Sequence, residues 1–212
     1  MPTPFLSQPI EMARELSHIP IQKVTAFCVR EGELLVFDHP TAGTQLPAGT
    51  VDPGEDPRDA VAREFTEETG IPEPIVGRCI GVIEEQVAAH RAYLLNPALD
   101  AEGTEIPRGW PVLLDGANPG ERMDIRHEVW DWDERPPRLL EQRLATAPHT
   151  SLTQRVRRHF YLLDTLEERS EPWRQSSDRS TWQVRWAPLE ETLRLAGEQD
   201  RWLKILLQYL DN

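Results

Sequence analysis

The chain has 212 residues, a formal net charge of −13 and 39% apolar residues. This length is enough for one domain with elaborations and for a sizeable buried core. The strong negative charge argues against a nucleic-acid-binding protein, because phosphate backbones require basic patches, but a small nucleotide remains compatible if a metal ion neutralises it. We find neither a signal-peptide pattern nor an apolar run near the roughly 18 residues that a membrane span needs, so we expect a cytoplasmic protein with no membrane partner.

Predicted strands make up most of the regular structure, and apolar runs bounded by Gly, Pro and acidic residues define them. The first two strands form a hairpin that turns at Glu31 and Gly32. A later strand alternates apolar and polar residues and ends at Pro188. In chain order, the predicted strands cover residues 22–30, 33–38, 77–87, 157–164 and 181–186.

Four segments outside the central part of the chain have the period of a helix. One has strong end signals, because Asp56 is a good N-cap, Pro57 suits the first helical position and Gly70 is typical of a helix end. The last one has a leucine stripe at three- and four-residue steps, which is typical of a helix that faces the core. The predicted helices cover residues 8–18, 57–69, 189–196 and 199–210.

A long stretch rich in Pro, Gly and charge separates the third predicted strand from the fourth. Within it, residues 90–95 and 124–132 look like strands, and residues 137–145 look helical. The pattern is too ordered for a simple linker. We interpret residues 88–151, approximately, as an insertion that forms a small β-rich flap over or beside a site; an oligomer interface is the alternative.

Residues 49–71 (GTVDPGEDPRDAVAREFTEETGI) concentrate carboxylates on one helix face. A helix advances about 100° per residue, so Glu64, Glu67 and Glu68 share that face. Like charges at this spacing repel one another, whereas a solvated acidic helix would place Lys or Arg there. Hard divalent cations such as Mg²⁺ or Mn²⁺ would turn the repulsion into attraction.

Three further residues complete the pattern. Gly49 lets the preceding loop bend against the helix and lets a backbone carbonyl approach a metal ion closely. Arg63 is the strong cation of the second half of the helix, and it can pair with Glu55 or Glu67 and hold a carboxylate in place.

This segment resembles the Nudix box, the signature of the Nudix hydrolases, and every signature position matches. The mildest departures are Phe65, where an aliphatic residue is more usual, and Ala48 before Gly49, where many members carry two glycines. The resemblance covers residues 21–87 and about 152–212. It implies an α/β (α+β) Nudix fold, with a mixed β-sheet sandwiched between helices. Residues 1–20 would then be an N-terminal extension, and residues 21–212 would be a Nudix domain interrupted by the insertion.

The resemblance also implies a metal-dependent hydrolase of a phosphoanhydride bond in a nucleoside diphosphate linked to another moiety. Mg²⁺ or Mn²⁺ would be held by Glu64, Glu67, Glu68 and the carbonyl of Gly49. Arg63 would complete the catalytic set, with Glu55 in support. A metal-bound water, activated by a carboxylate, would attack phosphorus. The identity of the general base is left open between these glutamates and four acids outside the box: Glu84, Glu85, Glu167 and Glu168.

The substrate is not defined by the sequence. Secondary signatures typical of the ADP-ribose, dinucleoside polyphosphate and coenzyme A subgroups are absent; the ADP-ribose type usually has a proline where this chain has Gln86. We therefore expect a small nucleotide-type substrate without naming it, and the substrate-binding residues are unknown. Four tryptophans are candidates for stacking on a nucleobase, although each is more simply a core or interface residue: Trp130, Trp132, Trp173 and Trp182.

Two other interpretations compete with the hydrolase. A catalytically silent, Nudix-like nucleotide sensor would usually have lost box carboxylates, whereas this chain keeps them all. An isoprenoid diphosphate isomerase would need a reactive cysteine near the site, whereas Cys28 and Cys79 are expected as small buried side chains of core strands. A homodimer is left open.

Overall fold

The computed structural model describes residues 15–40, 42–115, 121–131, 138–177, 180–189 and 193–211. Their helices are α1 (Pro57–Thr69) and α2 (Gln199–Leu210), with a short 3₁₀ helix at His149–Ser151. Their strands are β1 (Ile21–Arg30), β2 (Glu33–His39), β3 (Gly43–Gln45), β4 (Ala48–Thr50), β5 (Ile75–Gln86), β6 (Arg91–Leu94), β7 (Ala98–Leu99), β8 (Glu105–Ile106), β9 (Pro111–Leu114), β10 (Arg122–Asp131), β11 (Arg138–Pro148), β12 (Leu152–Thr153), β13 (Arg155–Asp164), β14 (Trp173–Ser177) and β15 (Ser180–Pro188).

The main sheet has eight strands in the order β14-β15-β2-β1-β13-β5, with β3 paired to β2 and β4 paired to β1. Strands β1 and β13 run parallel, whereas the other pairs are antiparallel, so the sheet is mixed. Alternation along β1 sends Val24 into the core cluster that contains α1, and Phe27 into the cluster that contains α2. The predicted mixed sheet between helices is confirmed.

Local signals account for the bounds of α1. The side chain of Asp56 accepts a hydrogen bond of 2.8 Å from the backbone N–H of Arg58, and Pro57 opens the helix. Gly70 ends it in the left-handed conformation, at φ 71°. The observed helix therefore has the predicted bounds, and so does α2.

The segment between β5 and β13 forms a second sheet of five strands, in the order β11-β10-β9-β6-β12. It has its own apolar core, to which Leu94, Val112, Ile125 and Leu152 contribute fully or almost fully buried side chains. The long β-rich insertion is confirmed as a feature of the fold. Its last strand, β12, covers residues 152 and 153, just past the predicted end of the insertion at about residue 151.

The helix predicted over residues 137–145 is wrong, because residues 138–148 form strand β11, which pairs with β10 along its length. Leu140 and Leu144 have helical spacing, but both are exposed, whereas Ala145 and Ala147 alternate into the core of the second sheet. Alternation at the end of the segment and pairing with the preceding strand therefore decide its structure.

Two further helices were expected. Residues 15–18 of the first are not helical, and the rest of it lies outside the described residues. In the second, residues 193–196 are not helical, and residues 190–192 lie outside the described part. The N–H of Ala196 donates to the carbonyl of Thr44 at 2.7 Å, so this segment bonds to β3 and not to itself. No helix in the described ranges is long and apolar enough to cross a membrane.

The two cysteines differ. Cys28 is buried, as predicted, whereas the prediction that Cys79 is buried is wrong. Cys79 lies on β5, the last strand of the main sheet, and most of that strand is exposed or only partly covered. An edge strand has fewer neighbours to cover it than a central strand, and its side chains stay exposed for that reason.

Candidate active site

Strand β4 lies against α1 and holds two of the predicted metal-binding carboxylates. Glu64 accepts a hydrogen bond of 3.2 Å from the N–H of Thr50, and Glu68 accepts one of 2.8 Å from the N–H of Ala48. Between these two donors, a Cβ added to Gly49 would lie 1.9 Å from the carboxyl carbon of Glu64. The close approach of loop and helix therefore requires glycine at this position.

Arg63 is the centre of an ion-pair network. Its guanidinium binds Glu55 with two hydrogen bonds of 3.0 Å, and it donates to Glu64 at 3.0 Å and to the carbonyl of Thr50 at 3.1 Å. Glu67 lies 3.5 Å away. Both predicted partners of Arg63 are thus in place, and Glu64 is a third. The hydrogen bonds from Arg63 lower the pKa of Glu55, which stays charged as the anchor of the network.

Burial affects the ionisation of Glu64 and Glu68. It raises the pKa of Glu68 well above its usual value, and the charges of Glu64 and Glu67 add to this effect although the N–H of Ala48 opposes it. Burial also raises the pKa of Glu64, against the influence of Arg63. Two mostly buried carboxylates that repel each other are costly without a cation.

The carboxylates are not arranged as a complete metal cage. Glu67 is 58% exposed, and within the described residues no group of three or more Asp, Glu, His or Cys side chains is placed to hold a metal ion. The donor set itself fits a hard divalent cation, since it consists of oxygens. Among the described residues, Glu64 Oε2 and Glu68 Oε1 receive no hydrogen bond, so one oxygen of each carboxylate is available.

The C-terminal end of α1 is held by three side chains, of which two, Trp173 and Trp182, were named from the sequence only as candidates for base stacking. The indole N–H of Trp182 donates to the carbonyl of Glu68 at 2.6 Å, and that of Trp173 donates to Thr69 at 2.7 Å. The amide of Gln175 donates to Glu67 at 2.9 Å. These residues lie on β14 and β15, so the last strands of the main sheet fix the end of the helix that carries the glutamates.

The candidate bases outside the box lie at opposite ends of the main sheet. Glu167 forms an ion pair with Arg169. It lies, with Glu168, beyond the end of β13, where the backbone carbonyl of Glu167 accepts a hydrogen bond from Arg30 at the end of β1. Gly49 pairs with Val24, which lies six residues before Arg30 on β1. Six residues of strand correspond to about 20 Å, so Glu167 and Glu168 lie far from the box.

The other two candidates lie at the same end of the sheet as the box. Glu84 and Glu85 pair in register with Arg157 and Val156 of β13, which are opposite Gln22 and Ile21 of β1. Glu84 forms an ion pair with Arg157, and Glu85 lies 3.7 Å from Arg201. Glu85 also lines a cavity between the two sheets.

A cavity of about 910 Å³ lies between the second sheet, the main sheet and the start of α2. Arg158 stacks on the ring of Trp202 at 3.9 Å and donates to the hydroxyl of Thr25 at 3.1 Å. In the described part of the chain, Arg158 has no acidic partner within 4 Å, and burial lowers its pKa to about 10. Its neighbours in the lining include Glu85, Arg91, Tyr93, Glu198 and Trp202.

Lys23 lies between this cavity and the box. Its ammonium group is 5.0 Å from the centre of the Tyr93 ring and donates to the hydroxyl of Thr50 at 3.2 Å. Burial, together with the charge of Arg158, lowers the pKa of Lys23 to about 7, and the charge of Glu64 opposes this. Lys23 and Arg158 thus connect the carboxylates with the cavity. A lysine in a mostly buried strand is the sequence feature that corresponds to this contact.

Comparison with known proteins identifies the family. The family model for the NUDIX domain matches residues 21–132, which is just over half of the chain. The chain therefore belongs to the NUDIX family, and the resemblance of the box is confirmed. A crystal structure of a UDP-X diphosphatase superposes on 91% of this chain and 64% of its own, with a TM-score of 0.50 and 12% identity. This likeness concerns the fold alone.

Two curated relatives match part of the sequence. An RNA pyrophosphohydrolase of Roseobacter denitrificans is 32% identical over 90 residues, which is 40% of this chain and 56% of the relative. Diphosphoinositol polyphosphate phosphohydrolase 2 of Rattus norvegicus is 35% identical over 79 residues, which is 37% of this chain and 40% of the relative. The matches span only about half of the relatives' length.

Proposed function

We propose that the chain is a metal-dependent pyrophosphohydrolase, which cleaves a phosphoanhydride bond in a nucleoside diphosphate linked to another moiety. The observation that carries this proposal is the pair of mostly buried carboxylates, Glu64 and Glu68, each with one available oxygen next to Gly49. Both curated relatives have names of enzymes that hydrolyse phosphate bonds, which supports the same reaction class.

Mg²⁺ or Mn²⁺ is the cofactor that suits these ligands, namely Glu64, Glu67, Glu68 and the carbonyl of Gly49. Such an ion would neutralise phosphate oxygens and make a water more acidic. Arg63 orients Glu64 and is itself held by Glu55, so the charged side chains keep their geometry before the substrate binds. The exposed Glu67 is free to turn towards an ion once one is present.

The cavity next to the second sheet suits the part of the substrate beyond the reacting phosphates. Arg158 supplies positive charge, Lys23 supplies hydrogen-bond donors between Glu64 and the cavity, and Tyr93 and Trp202 supply aromatic surface. Glu85, on the wall of this cavity, and the box glutamates are the candidates for the general base. The cytoplasmic location and the homodimer stay predictions.

The test is a turnover screen with Mg²⁺ and with Mn²⁺. The panel comprises nucleoside triphosphates, nucleotide sugars, ADP-ribose, dinucleoside polyphosphates, coenzyme A and NADH, with a pyrophosphate-bearing RNA and a diphosphoinositol polyphosphate added because of the relatives' names. Glu68→Gln is run in parallel, and Asp59→Asn, an exposed acid-to-amide change on the same helix, is the matched control.

We expect turnover that Glu68→Gln nearly abolishes and Asp59→Asn preserves, with unchanged circular dichroism in both variants. A folded, fully active Glu68→Gln protein would refute the proposal. Metal and nucleotide binding without turnover by the wild-type chain would instead favour the silent sensor.

A further inference from the structure

The turn that leads into β9 of the second sheet touches the box loop, which we define as residues 48–56, directly before α1. Gly109, between β8 and β9, has φ +76°, and a Cβ added there would lie 2.4 Å from the hydroxyl oxygen of Thr50. Lys23 joins the two segments, because its ammonium group donates to Thr50 at 3.2 Å and to the carbonyl of Gly109 at 3.3 Å. Arg108 donates to the carbonyl of Val51 and, at 3.1 Å, to that of Leu95.

The same loop residues hold the catalytic side chains. The N–H of Thr50 donates to Glu64, and the carbonyl of Thr50 accepts from Arg63. Thr50 is therefore in contact with the second sheet through its side chain and with the carboxylate network through its backbone. A displacement of the turn at Gly109 would move the donor that orients Glu64.

We propose that Arg108 and Gly109 of the inserted sheet, together with Lys23, form a brace that positions the box loop and, through Thr50, the carboxylate of Glu64. They are positioning residues, since none of them reaches the carboxylates directly. The proposal rests on the proposed function only where turnover is the measured quantity; the geometry of the loop can be tested without a substrate.

Stability of the second sheet alone does not account for this contact. That sheet has its own core, built from residues such as Leu94, Val112 and Ile125. The ammonium group of Lys23 is mostly buried where it donates to Thr50 and Gly109, and burial disfavours its charged form. The contact therefore links the second sheet to the site.

Gly109→Ala tests the brace, and Gly103→Ala is its matched control. Gly109 lies between β8 and β9 and Gly103 between β7 and β8, and both have positive φ, +76° and +83°, so both variants have similar backbone strain. A Cβ at Gly103 meets nothing within 4 Å, whereas a Cβ at Gly109 overlaps Thr50. The measured quantities are the unfolding midpoint, the affinity for Mn²⁺, the amide exchange rate of Thr50 in the metal-free protein, and kcat.

We expect Gly109→Ala to weaken Mn²⁺ binding by about tenfold or more, as changes behind metal ligands do, and to lower kcat with little change in KM. Amide exchange at Thr50 should be faster than in Gly103→Ala. Adding Thr50→Ala removes the two closest atoms of the overlap but also the acceptor of Lys23, so it should restore only part of the loss. Equal Mn²⁺ affinity and equal Thr50 exchange in both glycine variants would overturn the brace.

A second pair of variants decides the matter if Gly109→Ala does not fold. Arg108→Met removes the donor to Val51, and Arg122→Met removes an arginine whose donors stay within the second sheet, on Thr146. Weaker Mn²⁺ binding in the first variant alone supports the brace, and equal binding in both overturns it. A wild-type chain without turnover would refute the proposed function but would leave these binding and exchange measurements valid.

Discussion

The indole of Trp182 donates a hydrogen bond of 2.6 Å to the backbone carbonyl of Glu68, whose side chain lies against the box loop. A residue of the last strand thus caps the helix that carries the catalytic glutamates. Carbonyls in the last turn of a helix have no partner within it, and a buried one is costly to leave unpaired.

Trp182→Phe should destabilise the protein by about 1–3 kcal/mol or more, because the carbonyl of Glu68 loses its donor and the smaller ring fills less of the core. It should also lower kcat, since the end of α1 is no longer fixed. Urea unfolding and steady-state kinetics measure the two effects. Trp186→Phe is the control, because Trp186 is equally buried and donates at 2.9 Å to Arg169, away from α1. Equal kcat in the two variants would show that the cap is structural only.

The parts of the site that follow local rules were predictable from the sequence. Asp56, Pro57 and Gly70 set the ends of α1 because capping involves only neighbouring residues. The pairing of Arg63 with Glu55 was also predictable, since a helix and the loop before it bring them together.

Features that depend on distant segments were not predictable. Trp182 and Glu68 are 114 positions apart, and no local pattern links them. The leucines of β11 have helical spacing, yet pairing with β10 makes the segment a strand. The contact between Gly109 and Thr50 likewise joins segments that lie far apart in the sequence. The base-stacking role suggested for Trp130 stays a prediction, and Trp132 lies outside the described residues.

Arg63→Lys should lower turnover by about 10- to 100-fold, although it keeps the charge. A lysine cannot replace the planar fork that binds Glu55 twice while it also reaches Glu64 and Thr50. Steady-state kinetics and Mn²⁺ titration measure the effect. Arg157→Lys, which alters an exposed pair with Glu84, should behave as the wild type. Full activity of Arg63→Lys would mean that charge alone is sufficient.

Arg158→Met should raise KM by about tenfold or more and leave kcat nearly unchanged, because a charge-assisted hydrogen bond to an anionic substrate group would be lost in both ground and transition states. The neighbouring Arg157→Met is the control, since Arg157 points to the other face of β13 and pairs with Glu84. A KM that is the same for both variants would exclude the cavity as the binding site of a charged substrate group.

Asp100 should make the stability of the protein depend on pH in the acid range. Burial opposes its ionisation, but the backbone N–H of Thr104, the side chain of His127, the N–H of Glu102 and Arg143 outweigh burial and lower the pKa of Asp100 from 3.8 to about 2. A pKa that is lower in the folded state favours folding when the group is charged. This contribution is complete above about pH 4 and is lost as the pH falls towards 2.

Asp100→Asn removes the charge, so the free energy of unfolding of the wild type should exceed that of the variant by a constant amount above about pH 4 and by less and less between pH 4 and pH 2. Urea unfolding at a series of pH values measures this difference. Asp124→Asn, in the same sheet, is the control, because its carboxylate makes no hydrogen bond among the described residues. A difference between wild type and Asp100→Asn that stays constant down to pH 2 would contradict the ion pairing of Asp100 with the second sheet.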